Sequence, residues 1–152
     1  MRLLLTAALA ALLSPSAAFA HTDGGWQLGL RWPAAGTITS PFGQDGGRWH
    51  PGLDIGILRS LDVRAASGGV VTEVGYVPGY DGYGSIVVVD IGDGYSTLYA
   101  HLSRALVRRG DEVWSGERIG IAGCSGWCTG THLHFELRHR DIPIDPTLLL
   151  VP

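Results

Sequence analysis

Short apolar stretches separated by glycine-rich segments run along this chain. β-Branched and aromatic residues are frequent in five stretches that have the length of strands: residues 70–74, 85–90, 95–100, 117–122 and 132–138. All 23 glycines lie after residue 20, and glycine between such stretches is typical of many short strands joined by turns. Asp93-Gly94, between the second and third stretches, favours a hairpin turn.

The stretch 132–138 alternates between polar and apolar residues. Residues i and i+2 of a strand point to the same face, so its apolar residues share one face and its polar residues share the other. The apolar face carries Leu133, Phe135 and Leu137, and the polar face carries His132, His134, Glu136 and Arg138. The first face is predicted to pack against a core, and the two histidines are predicted to share one site.

After residue 20 no segment sustains a helical period with capping residues, apart from a short helical turn that residues 102–107 would allow. We therefore predict an all-β, single-domain fold, a small sandwich or open barrel. Residues 21–35 contain glycine and tryptophan without a clear period, which predicts an irregular N-terminal arm. Prolines in residues 141–152 predict an extended closing segment rather than a helix, with residues 148–152 as a C-terminal tail.

Residues 1–20 have the composition of a secretory signal peptide. Arg2 precedes an apolar run over residues 3–13, and Ala18-Phe19-Ala20 is a small-x-small cleavage site. A transmembrane anchor is disfavoured because this run is shorter than the roughly 20 residues that span a bilayer. We expect an exported protein without stable membrane insertion, most simply periplasmic, with secretion as the alternative.

The charge composition argues against binding to nucleic acid. The chain has no lysine, and its 11 arginines face 14 acidic residues, for a formal net charge of −3. Apart from Arg108-Arg109 the arginines are scattered, whereas a nucleic-acid partner requires clustered positive charge.

We expect the protein to be a monomer.

Cys124 and Cys128 are the two cysteines of the chain. In an exported protein this pair favours a disulfide, and closing so small a loop would stabilise the fold by roughly 2 kcal/mol. The alternative is half of a metal site, but a second cysteine pair to complete it is missing.

Three further residues extend the histidine pattern. His50 and Asp54 are separated by Pro51-Gly52-Leu53, and His101 follows Tyr99-Ala100. A bend at Pro51-Gly52 would allow His50 and Asp54 to converge on one metal ion, and imidazole with carboxylate suits zinc. Three protein ligands with a water in the fourth position form a catalytic zinc site, whereas a structural site has four protein ligands.

The sequence blocks that carry these residues resemble the signature motifs of the lysostaphin/LytM-type zinc metallopeptidases, which cut peptide bonds in bacterial peptidoglycan. The blocks are HPGLDI at 50–55, YAHLS at 99–103 and TGTHLHFE at 129–136, with agreement also in SPFG at 40–43, GYGS at 82–85 and DP at 145–146. The chain departs from the family pattern at Ser85, where asparagine is usual, and at Thr131, where proline is common. The resemblance covers residues 36–147 and implies an antiparallel β fold with an active-site groove over one sheet.

The resemblance also implies roles for individual residues. His50, Asp54 and His134 would be the zinc ligands, and His101 and His132 would orient and deprotonate the water that zinc activates. The implied activity is that of an endopeptidase acting on the peptide cross-links of peptidoglycan. Glu136 would have a supporting role beside the ligands.

Two other functions stay open at this point. Some relatives of the family have lost metal ligands and activate a separate cell-wall amidase, although none of the five site residues is missing here. A periplasmic zinc or copper carrier would also use the histidines, but it would not account for the match along the rest of the chain.

Overall fold

The computed structural model describes residues 29–151. The predicted signal peptide and most of the predicted N-terminal arm lie outside the described residues. Within them the fold is all-β, as predicted, and its helical part is one 3-10 turn at Pro146–Leu148. The strands are β1 (Leu30–Arg31), β2 (Thr37–Ser40), β3 (Gly43–Asp45), β4 (Arg48–His50), β5 (Leu53–Gly56), β6 (Asp62–Arg64), β7 (Gly69–Gly75), β8 (Ser85–Gly92), β9 (Tyr95–Ala105), β10 (Glu112–Val113), β11 (Arg118–Ala122), β12 (Leu133–His139), β13 (Ile142–Ile144) and β14 (Leu150–Val151).

Most strands belong to one antiparallel sheet, which confirms that expectation. Its main path has the order β10-β7-β8-β9-β12-β5-β2, with β13 beside β12 and with β11 paired to both β6 and β9. Strands β3 and β4 form a separate hairpin. Strands β1 and β14, from opposite ends of the described chain, pair in parallel, so the N-terminal and C-terminal segments meet.

All five stretches predicted as strands form strands, but the short helical turn that residues 102–107 would allow is not formed. Residues 102–105 continue β9, because Arg104 and Ala105 pair with Ile121 and Gly120 of β11. Leu102 is fully buried. Pairing with a strand that lies later in the chain outweighs the local helical preference.

The main core lies on the apolar face of β12. Leu133, Phe135 and Leu137 are fully buried there and belong to the same cluster as Tyr99. On the opposite face of the sheet a smaller cluster is covered by Val77, Tyr80 and Tyr83 from the loop of residues 76–84. Its buried members are Ile86, Val88, Leu98 and Ala100. Residues 81–83 of this loop line a groove together with His132 and His134.

The segment just before β2 is also tied to the body. Leu30 is fully buried, its amide donates to the carbonyl of Leu149 at 2.8 Å, and the amide of Arg31 donates to the carbonyl of Ala66 at 2.8 Å. No helix within residues 29–151 has the length and apolar character needed to cross a membrane.

A buried tyrosine links the sheet to the chain before β7. The hydroxyl of Tyr99 accepts a hydrogen bond from the amide of Ala66 at 2.7 Å and donates to Thr97 Oγ1 at 3.1 Å. Tyr99 is fully buried, and burial raises the pKa of its hydroxyl to about 12. The Tyr99 hydroxyl therefore stays neutral and joins the sheet to Ala66 through a buried hydrogen bond.

Replacing Tyr99 by phenylalanine is expected to lower the free energy of unfolding by about 1–3 kcal/mol, because the buried amide of Ala66 loses its partner. Chemical denaturation of the folded variant measures this change. Tyr95→Phe is the matched control, since the Tyr95 ring stacks on His139 and its hydroxyl has no hydrogen bond among residues 29–151. We expect that variant to stay within about 0.5 kcal/mol of the parent protein. Equal stability of the two variants would contradict the role given to Tyr99.

Candidate metal centre

The pairing of β12 with β5 positions two of the predicted metal ligands. His134 lies directly opposite Asp54 in this antiparallel pair, and His50 is the last residue of β4. Between His50 and β5 the chain bends at Pro51-Gly52. A side chain at Gly52 would collide with the carbonyl oxygen of Phe135, so glycine allows the bend to lie close against β12.

The three predicted ligands form one cluster. His50 Nε2 lies 3.2 Å from Asp54 Oδ1 and 3.1 Å from His134 Nδ1, and Asp54 Oδ1 lies 2.8 Å from His134 Nδ1. Nitrogen and oxygen ligands arranged as a tetrahedron around zinc lie about 3.3–3.6 Å apart. The three separations fall within about 0.5 Å of the lower value, so the donor set fits zinc after a small expansion.

The second nitrogen of each ligand imidazole determines which nitrogen faces the cluster. His50 Nδ1 donates to the carbonyl of Pro41 at 2.8 Å, which leaves the lone pair on Nε2. His134 Nε2 donates to Glu136 Oε1 at 2.8 Å, which leaves the lone pair on Nδ1. Since a metal binds the unprotonated nitrogen, both rings are held in the tautomer that binding requires.

Glu136 is a fully buried carboxylate beneath the site. Its Oε1 also accepts from the hydroxyl of Tyr83 at 2.6 Å, and its Oε2 accepts from Arg138 Nε at 2.6 Å. Burial alone would raise the pKa of Glu136, but the hydrogen bonds from His134 and Arg138 and the positive charge of Arg138 outweigh it and lower the pKa. Three donors thus compensate the cost of a buried charge.

Charge at the centre is distributed around His134. Burial opposes ionisation of Asp54, but the adjacent imidazoles of His134 and His50 outweigh it and hold the pKa of that carboxyl well below its usual range. Burial likewise lowers the pKa of His134, but Asp54 and Glu136 outweigh it and raise the pKa overall. Two carboxylates on either side of one imidazole create the negative environment that a divalent cation would balance.

His101 and His132, the predicted catalytic pair, lie beside this cluster. Their ring centroids are 4.7 Å apart, and His132 Nε2 is 3.7 Å from Asp54 Oδ1. His101 Nδ1 lies 2.8 Å from the carbonyl of Ser125, and His132 Nδ1 lies 2.8 Å from the carbonyl of Gly130. Because a carbonyl only accepts, each Nδ1 carries a hydrogen, and each neutral ring has its lone pair on Nε2.

The environment of His101 favours its neutral form. Burial lowers the pKa of His101, and the neighbouring imidazoles of His132 and His134 lower it further, so that together they outweigh the hydrogen bond to Ser125. A neutral imidazole can accept a proton near neutral pH.

All five predicted side chains line one open groove of about 650 Å³. Its walls include two largely exposed indoles, Trp49 on β4 and Trp127 on the loop between β11 and β12, which are 61% and 81% exposed. Cys124 and Cys128 form a disulfide in that loop, with their Cα atoms 5.5 Å apart.

Sequence reasoning missed most of the groups that orient the site. The sequence places Glu136 and Arg138 on the same strand face as His134 and gives Glu136 a supporting role, but it does not identify the hydrogen bonds that join the three side chains. Tyr83 was noticed only within the GYGS block. The carbonyls of Pro41, Ser125 and Gly130 have no sequence signal, since every residue has a carbonyl and only the fold directs it.

Comparison with known proteins gives consistent matches. The model of the family described as Peptidase family M23 matches residues 48–146. The chain is 38% identical over 123 residues to a lipoprotein NlpD/LppB homolog of Pseudomonas aeruginosa, covering 81% of this chain and 39% of the relative. It is 38% identical over 121 residues to the DD-carboxypeptidase/endopeptidase Mpg of Neisseria meningitidis, covering 76% and 27%. It is 33% identical over 116 residues to the murein hydrolase activator NlpD of Escherichia coli, covering 76% and 30%. The chain thus spans well under half the length of these relatives.

Solved structures support the fold. The catalytic domain of the antimicrobial peptidase lysostaphin from Staphylococcus simulans is 31% identical with a TM-score of 0.61, covering 74% of this chain and 88% of that one. A zinc-containing peptidase from Vibrio cholerae is 32% identical with a TM-score of 0.66, covering 78% and 38%. The expected LytM-like β fold is confirmed.

Replacing Glu136 by glutamine is expected to weaken zinc binding by about 10- to 100-fold. Glutamine is neutral, so His134 loses the negative charge beside it. The Arg138 guanidinium also loses its carboxylate partner. Competition with a chromophoric chelator measures the affinity. Glu73→Gln is the matched control, because Glu73 lies on β7 and has a long ion pair of 3.9 Å with Arg109. Unchanged affinity in a folded Glu136→Gln variant would contradict the expectation.

Proposed function

Because the chain belongs to peptidase family M23, we propose that it is a zinc-dependent peptidoglycan hydrolase, an endopeptidase that cleaves the peptide cross-links of the cell wall. The observation that carries this proposal is the convergence of His50 Nε2, Asp54 Oδ1 and His134 Nδ1 on one point of an open groove. These three residues would hold the metal and leave one position open, which is the arrangement of catalytic zinc sites.

Bound zinc would supply Lewis acidity, which polarises the scissile carbonyl and makes water a nucleophile near neutral pH. His101 and His132 would provide the proton transfers, because each neutral ring has its lone pair on Nε2. A neutral imidazole that accepts a proton from the attacking water becomes an imidazolium. It can then donate a hydrogen bond to the oxyanion that develops on the carbonyl. The glutamate of an H-E-x-x-H protease is then not required, and the chain has no such motif.

The shape of the groove supports a polymeric substrate. The groove is open rather than enclosed, and its walls carry Trp49 and Trp127 as exposed contact surfaces. An extended peptide that continues on both sides of the cleaved bond fits an open groove better than a closed pocket. One relative is named a DD-carboxypeptidase/endopeptidase, and this name supports an endopeptidase activity.

We further propose that the protein acts as a monomer outside the cytoplasm, most simply in the periplasm. A disulfide such as Cys124–Cys128 persists in oxidising compartments, and one relative is named a lipoprotein. Residues 36–147 would form the metallopeptidase domain.

A second function is favoured by one comparison. The relative from Escherichia coli is named a murein hydrolase activator, so a non-catalytic role in stimulating a cell-wall amidase is the alternative. The complete ligand cluster and the His101–His132 pair weigh against it, because an activator needs neither. Stimulation of an amidase by a His101→Ala variant would favour the activator role.

Variants of single histidines test the proposed chemistry on purified cross-linked muropeptides, with products identified by mass spectrometry. His134→Ala is expected to lose both bound zinc and hydrolysis. His101→Ala and His132→Ala are expected to retain zinc and to lose roughly 10²- to 10⁴-fold in kcat, the usual contribution of general acid–base catalysis.

His139→Ala is the control for these variants, since His139 stacks on Tyr95 and does not line the groove. Its activity is expected to equal that of the parent protein, and a chelator should abolish hydrolysis. Hydrolysis that persists in His134→Ala or in the presence of a chelator would refute the proposal.

A further inference from the structure

His101 occupies an unusual backbone conformation. Its φ is +58°, a left-handed value that is uncommon for residues other than glycine. The register between β8 and β9 is irregular nearby, between Ser85 and Val87. The amide of His101 donates to the carbonyl of Tyr83 at 2.9 Å. Regular strand pairing therefore does not direct this side chain, and its orientation depends on the segments that touch it.

Ser125 is the residue that holds the imidazole of His101. Its carbonyl accepts from His101 Nδ1 at 2.8 Å. Its own hydroxyl donates to the carbonyl of Leu102 at 2.7 Å and accepts from the amide of Ser85 at 3.0 Å. Ser125 is thus anchored to β9 and β8 beside the histidine that it orients.

Ser125 lies within the five-residue ring that the Cys124–Cys128 disulfide closes, called here the disulfide loop. This loop has little apolar burial of its own, since Trp127 is 81% exposed and Cys124 is exposed. Besides the bonds of Ser125, the amide of Trp127 donates to the carbonyl of Gly82 at 2.8 Å. Individual hydrogen bonds of this kind contribute only about 1 kcal/mol each, so the covalent closure and the hydrogen bonds of Ser125 together restrain the loop.

We propose that the disulfide loop is a positioning element, in which the Ser125 carbonyl fixes the tautomer and the orientation of His101. This inference rests on the proposed function, because it assigns the loop to the hydrolytic step. The carbonyl keeps the hydrogen on Nδ1, so Nε2 has the lone pair that proton transfer needs. Among residues 29–151, no hydrogen bond joins the loop to His50, Asp54 or His134. The loop is therefore expected to control catalysis without controlling metal affinity.

The double variant Cys124→Ser/Cys128→Ser tests this inference. Heteronuclear NMR of isotopically labelled histidine reports the tautomer of His101, which is expected to change from pure Nδ1–H to a mixture when the loop opens. We expect kcat to fall roughly 10- to 100-fold, as for a misplaced catalytic group, with KM within about twofold. Bound zinc is expected to equal that of the parent protein.

Trp127→Ala is the matched control on the same loop, because it removes an exposed groove side chain and keeps the disulfide and Ser125. It is expected to leave the His101 tautomer unchanged. Ser125→Ala, with the disulfide intact, removes the hydroxyl anchor and is expected to give the same mixed tautomer as the double variant. It also provides the test should the double variant fail to fold.

A pure Nδ1–H tautomer in folded forms of both test variants would overturn the inference and leave the disulfide as a simple staple of an exposed loop. An equal loss of zinc and of activity would also overturn it. The tautomer measurement does not depend on turnover. Should the parent protein cleave no muropeptide, the proposed function would fail, while the NMR result would still decide whether the loop positions His101.

Discussion

The antiparallel pairing of β12 with β5 and β9 is the constraint on which the rest of the site depends. This register places His134 opposite Asp54 on one side and opposite Ala100, next to His101, on the other. A slip of one residue would exchange the two faces of β12 and turn His134 and Glu136 toward the core. The fully buried Leu133 and Phe135 oppose such a slip, since each would then have to leave the core. The apolar face thus specifies the position of the polar face.

Every imidazole at the centre has its outer nitrogen occupied by an acceptor from the protein. For His50, His101 and His132 this acceptor is a backbone carbonyl, and for His134 it is the buried carboxylate of Glu136. Backbone acceptors do not titrate and move only with the loop that carries them. The tautomers of three rings are therefore consequences of loop structure, whereas the fourth depends on a charge network that reaches Arg138.

The sequence predicts those parts of the fold and site that local patterns encode. Alternation alone identifies β12 and the shared face of His132 and His134, and the motif resemblance brings in His50, Asp54 and His101. Long-range pairing has no local signature, which is why the sequence of residues 102–107 allows a helical turn although residues 102–105 continue β9 and pair with β11. The contact between Glu136 and Tyr83 depends on how the loop of residues 76–84 crosses the sheet, and no spacing in the sequence reports that crossing.

The parallel pair of β1 and β14 has a mechanical consequence. Leu30 lies beside Leu150, so the chain enters and leaves the body about one strand spacing, some 4.8 Å, apart. None of the groove-lining residues belongs to either strand. Segments joined at residues 29 and 151 would therefore be attached at one place, which is separate from the residues that line the groove. A body held in this way suits chains of the greater length seen in its relatives.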